Sequence, residues 1–175
     1  MSPNRIVVGF DGSEGAARGI AAAGTLVPGA EALVVCVYRP VLAAADAALI
    51  GAPKQIVRGG ARALDAQRRA EAEQTAERGA ALAAAAGCES QALAVAATGS
   101  VWAAIDRVAQ QHEATALVVG TRGLSGLSRF VLGSVSSGLL HHATRPVLVV
   151  PDTHPARRPD GDDASGRALA DVLDA

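Results

Sequence analysis

Four stretches of the chain are apolar almost without interruption: residues 5–10 (RIVVGF), 32–38 (ALVVCVY), 116–119 (ALVV) and 146–150 (PVLVV). Short apolar runs bounded by turn residues are the signature of strands covered on both faces. A fifth run, 89–96 (ESQALAVA), alternates more and predicts a strand exposed at one edge of the sheet. Helical segments are expected between them. Residues 14–26 follow a turn and cap at Asp11-Gly12-Ser13, and residues 61–86 are rich in Ala, Arg, Glu and Gln before Gly87 ends them. Residues 101–111 follow Thr98-Gly99-Ser100 and carry Trp102, Ile105, Val108 and Ala109 as an apolar stripe, which makes Trp102 a packing residue. Residues 135–143 follow Gly133, with Ser134 as the expected N-cap.

Parallel strands joined through helices connect by right-handed crossovers. Five strands alternating with four helices therefore predict an open parallel α/β sheet of Rossmann-like or flavodoxin-like type, with helices on both faces. Pro146 cannot sit inside a central strand, so the last strand belongs at an edge. A bare apolar edge invites pairing, and a homodimer through residues 146–150 is expected. Residues 1–151 form one domain, and 152–175, with Pro155, Pro159, Gly161, Gly166 and scattered charge, read as a flexible tail. Two readings stand for the alanine-rich connection 41–57: a flap over a ligand, or a linker.

Composition narrows the partners. In 175 residues, half of them hydrophobic, only Phe10, Tyr38, Trp102 and Phe130 are aromatic, so no platform exists for stacking single-stranded nucleic acid. A formal net charge of −1 supplies no basic field for DNA, RNA or an anionic membrane. No membrane-length apolar segment and no signal-peptide core is seen, which predicts a cytoplasmic protein with reduced Cys36 and Cys88. His141 and His142 are adjacent on a helix and point about 100° apart, unlike two ligands of one metal. A small ligand or a protein partner of unknown identity remains.

The chemistry gathers after the fourth strand. Gly120 and Gly123 let the backbone come close to a bulky anion, and the helix that opens after Gly133-Ser134 presents unpaired amides with about half a positive charge. The spacing is neither GxxxxGK[ST] nor GxGxxG. It reads GxxGx9GS from Gly120 through Gly123 to Gly133-Ser134. With VVGFDGS at 7–13 and HHATRPVLVV at 141–150, the chain resembles the universal stress protein family, in the branch that carries the ATP-binding form of this motif.

The resemblance implies strand order 3-2-1-4-5, a homodimer, and ATP in the crevice between strands one and four. It places phosphates on the amides of Gly123, Gly133 and Ser134, with Val135 completing the helical turn. Val119 and Gly120 then line the ribose side, and Val37 and Asp11 stand near the base. Arg122 and Arg129 either neutralise phosphate charge or point to solvent. Asp11 has competing roles: capping the first helix itself, supporting Ser13, or holding the nucleoside. A carboxylate facing bare phosphates needs a divalent cation between them, so Mg²⁺ accompanies the ATP reading.

No Walker lysine, no acidic pair at metal spacing and no GxSxG elbow accompanies the loop, so binding is favoured over turnover. No catalytic or metal-ligating residue is assigned. Slow ATP hydrolysis or phosphotransfer is one alternative, and a dimeric scaffold with structural or no nucleotide is another.

Overall fold

The computed structural model describes residues 4–41, 54–121 and 132–151. Nine elements alternate along them: β1 (Arg5–Gly9), α1 (Glu14–Leu26), β2 (Glu31–Tyr38), α2 (Lys54–Ala85), β3 (Glu89–Ala96), α3 (Val101–Gln111), β4 (Ala116–Gly120), α4 (Ser134–His142) and β5 (Val147–Val150). The sheet is wholly parallel, in the order β3-β2-β1-β4-β5. That is the order the resemblance implies. The central strands are buried on both faces, which is why their sequences show no polar alternation. β3, at one edge, keeps more exposed positions.

The two-residue period of a strand splits the core in two. Ile6 and Val8 of β1, Ala32 and Val34 of β2 and Val118 of β4 pack with Ala16, Ile20 and Ala23 of α1 and Ala83 of α2. Their neighbours Val7, Leu33, Val35, Leu117 and Val119 face the other way, onto Ile105, Val108 and Ala109 of α3 and Leu139 of α4. Helices thus cover both faces, α1 and α2 on one and α3 and α4 on the other. At the amino ends of the strands, Arg5 ties three segments together. It donates to the His112 carbonyl at 2.8 Å and forms an ion pair with Glu31 at 2.8 Å.

α2 begins at Lys54, so the last residues of the expected 41–57 connection are helical and the helix expected over 61–86 starts earlier. The chain runs through Gly59 and Gly60 although each glycine costs about 1 kcal/mol in a helix interior. Tertiary bonds hold this part of the helix to the end of β2: Asp65 accepts from the Val41 amide, and Arg68 donates to the Arg39 carbonyl at 2.9 Å. The remainder of that connection, and the tail after residue 151, lie outside the described residues.

The cap of α4 also differs from expectation. Gly133 is the N-cap and Ser134 is already the first helical residue. At the other end of α4, His142 stacks on Trp102, with ring centroids 4.6 Å apart and planes at 18°. Trp102 packs against the α3/α4 side of the core.

Cys36 and Cys88 are free and buried. Burial pushes both thiols above their ordinary range. For Cys36 the nearby Asp11 carboxylate adds to the rise and the Arg78 guanidinium offsets part of it. Neither thiol is therefore poised as a nucleophile. Among the described residues no helix is long and apolar enough to cross a membrane, and no group of three or more His, Cys, Asp or Glu side chains is placed to hold a metal ion.

Candidate functional site

β1 and β4 are neighbours in the sheet, but the chain leaves them in opposite directions. After β1 it turns to α1 on one face, and after β4 it continues to α4 on the other. Their carboxyl ends consequently part, the position at which open α/β sheets bind ligands. A crevice of about 370 Å³ lies there. Asp11, Val37, Val119, Gly120, Gly133, Ser134 and Val135 all line it. These are all the sequence candidates that fall within the described residues; Arg122, Gly123 and Arg129 lie outside them.

One wall is apolar. Val35, Val37, Val101, Ile105 and Val119 form a slot beneath the strand ends, suited to the flat face of a heterocycle. On the facing rim, the Asp11 carboxylate accepts the Ser13 amide at 3.0 Å, and the Ser13 hydroxyl accepts the Ala16 amide at 3.2 Å. Of its two capping roles, Asp11 therefore takes the supporting one, while Ser13 is the N-cap of α1. The carboxylate also lines the crevice.

The two walls meet through backbone. A Cβ at Gly120 would stand 2.8 Å from the Gly15 carbonyl carbon and oxygen and 3.2 Å from the Ala16 nitrogen. Only glycine lets the end of β4 lie this close to the first turn of α1.

The polar end is built around Thr121. Its amide donates to the Val150 carbonyl at 2.9 Å, and its carbonyl accepts the Gly133 amide at 2.7 Å. The Ser136 hydroxyl is directed between that same carbonyl and the Gly133 carbonyl, at 3.0 Å from each. The Gly133 amide, which the resemblance places on phosphate, thus donates within the protein to Thr121.

The next three amides differ. Those of Ser134, Val135 and Ser136 stand in the first turn of α4, where an amide has no partner within the helix. The N-cap, being glycine, brings no side-chain oxygen to cover them. At α1 such an oxygen is present in Ser13. The first turn carries the positive end of the helix dipole, and it lines the same crevice as the apolar slot.

Thr121, Val35, Val101, Ile105 and Ser136 were not anticipated. The slot residues look like ordinary core in the sequence. Ser136 offered one signal, a serine in a helix's first turn, which is a position from which a hydroxyl can bond back to a carbonyl three residues earlier.

The universal stress protein family model matches residues 3–151. A universal stress protein of Mycolicibacterium smegmatis is 42% identical over 67 residues, a stretch that spans 33% of this chain and 23% of that relative's length. Among solved structures, the hypothetical protein MJ0577 superposes with a TM-score of 0.70 at 19% identity, covering 87% of this chain and 99% of that one. A universal stress protein in complex with cAMP gives 0.57 at 24% identity, with 87% and 100% covered. The universal stress protein from Archaeoglobus fulgidus in complex with dAMP gives 0.55 at 20% identity, with 86% and 99% covered.

Proposed function

The chain belongs to the universal stress protein family, and from that premise we propose that it is an ATP-binding regulatory protein. In this reading it acts as a nucleotide-dependent binding module rather than as an enzyme. One observation carries the proposal: a single crevice joins an apolar slot, a carboxylate and a helix N-terminus whose glycine cap brings no side-chain oxygen. Those are the complements of a purine face, sugar or amino donors, and phosphate. The base lies on Val37 and its apolar neighbours, Asp11 accepts from the nucleoside, and the ribose runs past Val119 and Gly120. Phosphate oxygens take the amides of Ser134, Val135 and Ser136, with Gly123 contributing from the glycine loop and Mg²⁺ separating phosphate from the Asp11 carboxylate. The cAMP and dAMP held by the two relatives share an adenine and one phosphate, which supports the same ligand class here.

Thermal unfolding with ATP, ADP, AMP and cAMP, each with and without Mg²⁺, tests this. At a hundred times Kd, a ligand that binds only the folded state adds about 2.7 kcal/mol. Ser134→Asp is expected to abolish the shift, because its carboxylate occupies the anion position. The unliganded variant should be at least as stable as wild type, since an acidic residue in the first turn complements the dipole. No shift in wild type at millimolar nucleotide would sink the proposal. Steady ATP hydrolysis faster than about one per second would replace it with an enzymatic reading.

We assign the β5 edge to a homodimer. All four β5 residues are half-buried, and Leu140 on the adjacent α4 is 50% exposed. Val149→Asp is expected to halve the mass seen in solution, and an unchanged mass would count against pairing at this edge. Two buried free thiols suit a reducing cytoplasm, where we place the protein.

A further inference from the structure

Ser136 is 1% exposed, and its hydroxyl lies at 3.0 Å from two carbonyls that stand twelve residues apart, those of Thr121 and Gly133. Those residues are the two ends of the glycine loop. The Gly133 amide closes the same neck from the other side, at 2.7 Å from the Thr121 oxygen. Thr121 in turn donates its amide to Val150, the last residue of β5, at 2.9 Å. A short, partly buried chain of hydrogen bonds thus runs from the first turn of α4 through one residue, Thr121, to the edge strand.

We infer that Ser136 is the positioning residue of the anion site, and that through Thr121 it transmits occupancy of the α4 amides to β5. The inference deepens the nucleotide reading and rests on it. Ser136 does so by two physical routes. Its hydroxyl holds α4 against the end of β4, so that the amides of Ser134, Val135 and Ser136 converge on one point before a ligand arrives, and preorganised donors lose less on binding. The Thr121 carbonyl shares its lone pairs between the Ser136 hydroxyl and the Gly133 amide, while the N–H of the same residue, on the other side of its Cα, donates to the Val150 carbonyl. Any tightening of α4 onto phosphate therefore restrains the residue that β5 hangs from.

Thr121 is placed for this role by its position in the sheet. β5 pairs with β4 from Val147 to Val150, and the Thr121 bond is the last rung at the crevice end. It is the rung nearest the ligand. Two other routes touch β5, the packing of Leu148 and Val150 against the α1 side of the core and that of Val147 and Val149 against the side of Leu139, and neither includes the Ser136 hydroxyl.

The test compares Ser136→Ala with wild type and with Ile20→Val, a core variant in α1 on the other face of the sheet. In the free protein, Ser136→Ala should speed exchange of the Thr121 amide about tenfold, the effect of losing one buried hydrogen bond. ATP affinity, followed by titration calorimetry, should fall about tenfold for the same reason. In wild type, saturating ATP should slow hydrogen exchange at Thr121 and along β5. In Ser136→Ala that slowing should vanish at saturation as well, whereas Ile20→Val should keep both affinity and slowing. The inference is overturned if Ser136→Ala binds ATP as wild type does, if it retains the slowing in β5, or if Ile20→Val loses the same affinity at a matched loss of Tm. Wild type that binds no adenine nucleotide overturns the nucleotide reading itself; wild type that binds while Ser136→Ala is unaltered overturns only the role of Ser136.

Discussion

Replacing Gly120 by valine is expected to destabilise the protein by about 3 kcal/mol or more, the upper range for overpacking a close-packed interior, and to abolish nucleotide binding with it. The reason is what the new atoms would meet. Already the Cβ would lie 2.8 Å from the carbonyl carbon and oxygen of Gly15 and 3.2 Å from the Ala16 nitrogen. These are backbone atoms in the first turn of α1, and they cannot rotate aside as a side chain does. At Gly138 the comparison is instructive. There the added atom would come within 2.2 Å of Trp102 Cδ1, an indole that can swing off its stack with His142 at the cost of that packing. At Gly120 relief requires α1 and β4 to part as bodies. The Asp11-Gly12-Ser13 turn then moves away from Ser134 and Val135, and the two walls no longer bind one ligand. Chemical denaturation reads the first effect and thermal shift with ATP the second. A Gly120→Val protein as stable as wild type, or one still stabilised by ATP, would show that the walls do not depend on this contact.

The strands were legible because central strands in a parallel sheet are apolar on both faces, and β1, β2 and β4 are buried that way. β3 was legible as an edge because Glu89 and Gln91 interrupt it. The strand order came with the resemblance, since no local pattern records which strand lies beside which. What the sequence left obscure depended on contacts between distant residues. The start of α2 was hidden by Gly59 and Gly60, whose low propensity is overridden where Arg68 and Asp65 bind the end of β2. The cap of α4 was displaced by one residue because serine is favoured both as an N-cap and in the turn that follows, and only the backbone angles of Gly133 decide between them. The engaged state of the Gly133 amide and the double contact of Ser136 required Thr121 to be brought across the glycine loop. Val35 and Ile105 carry no chemical mark; they become part of a site only where the sheet divides.

Leu139→Ala and Ile20→Ala should lose similar stability, each about 3 kcal/mol for a large aliphatic side chain removed from a tight core, and yet differ sharply in ligand binding. Both residues are fully buried, at 0% and 1% exposure. They anchor different helices. Ile20 belongs to the core beneath α1, a helix of thirteen residues with five further buried positions along its length, Gly15, Ala16, Gly19, Ala23 and Gly24. Leu139 belongs to α4, which has nine residues and only one other buried position, Ser136. So short a helix is not stable by itself in water, and tertiary contacts must hold it in place. Without Leu139 the first turn is left with the Ser136 hydroxyl, the Gly133 amide and the half-buried Val135 to position it, and its amides lose their common aim. ATP affinity should then fall more than about tenfold, an energy of roughly 1.4 kcal/mol, while Ile20→Ala stays within about twofold of wild type. Titration at a temperature where both variants remain folded separates affinity from stability, and denaturant unfolding verifies that the stability losses match. Equal affinities in the two variants would remove the phosphate from α4 and with it the basis for reading this crevice as a nucleotide site.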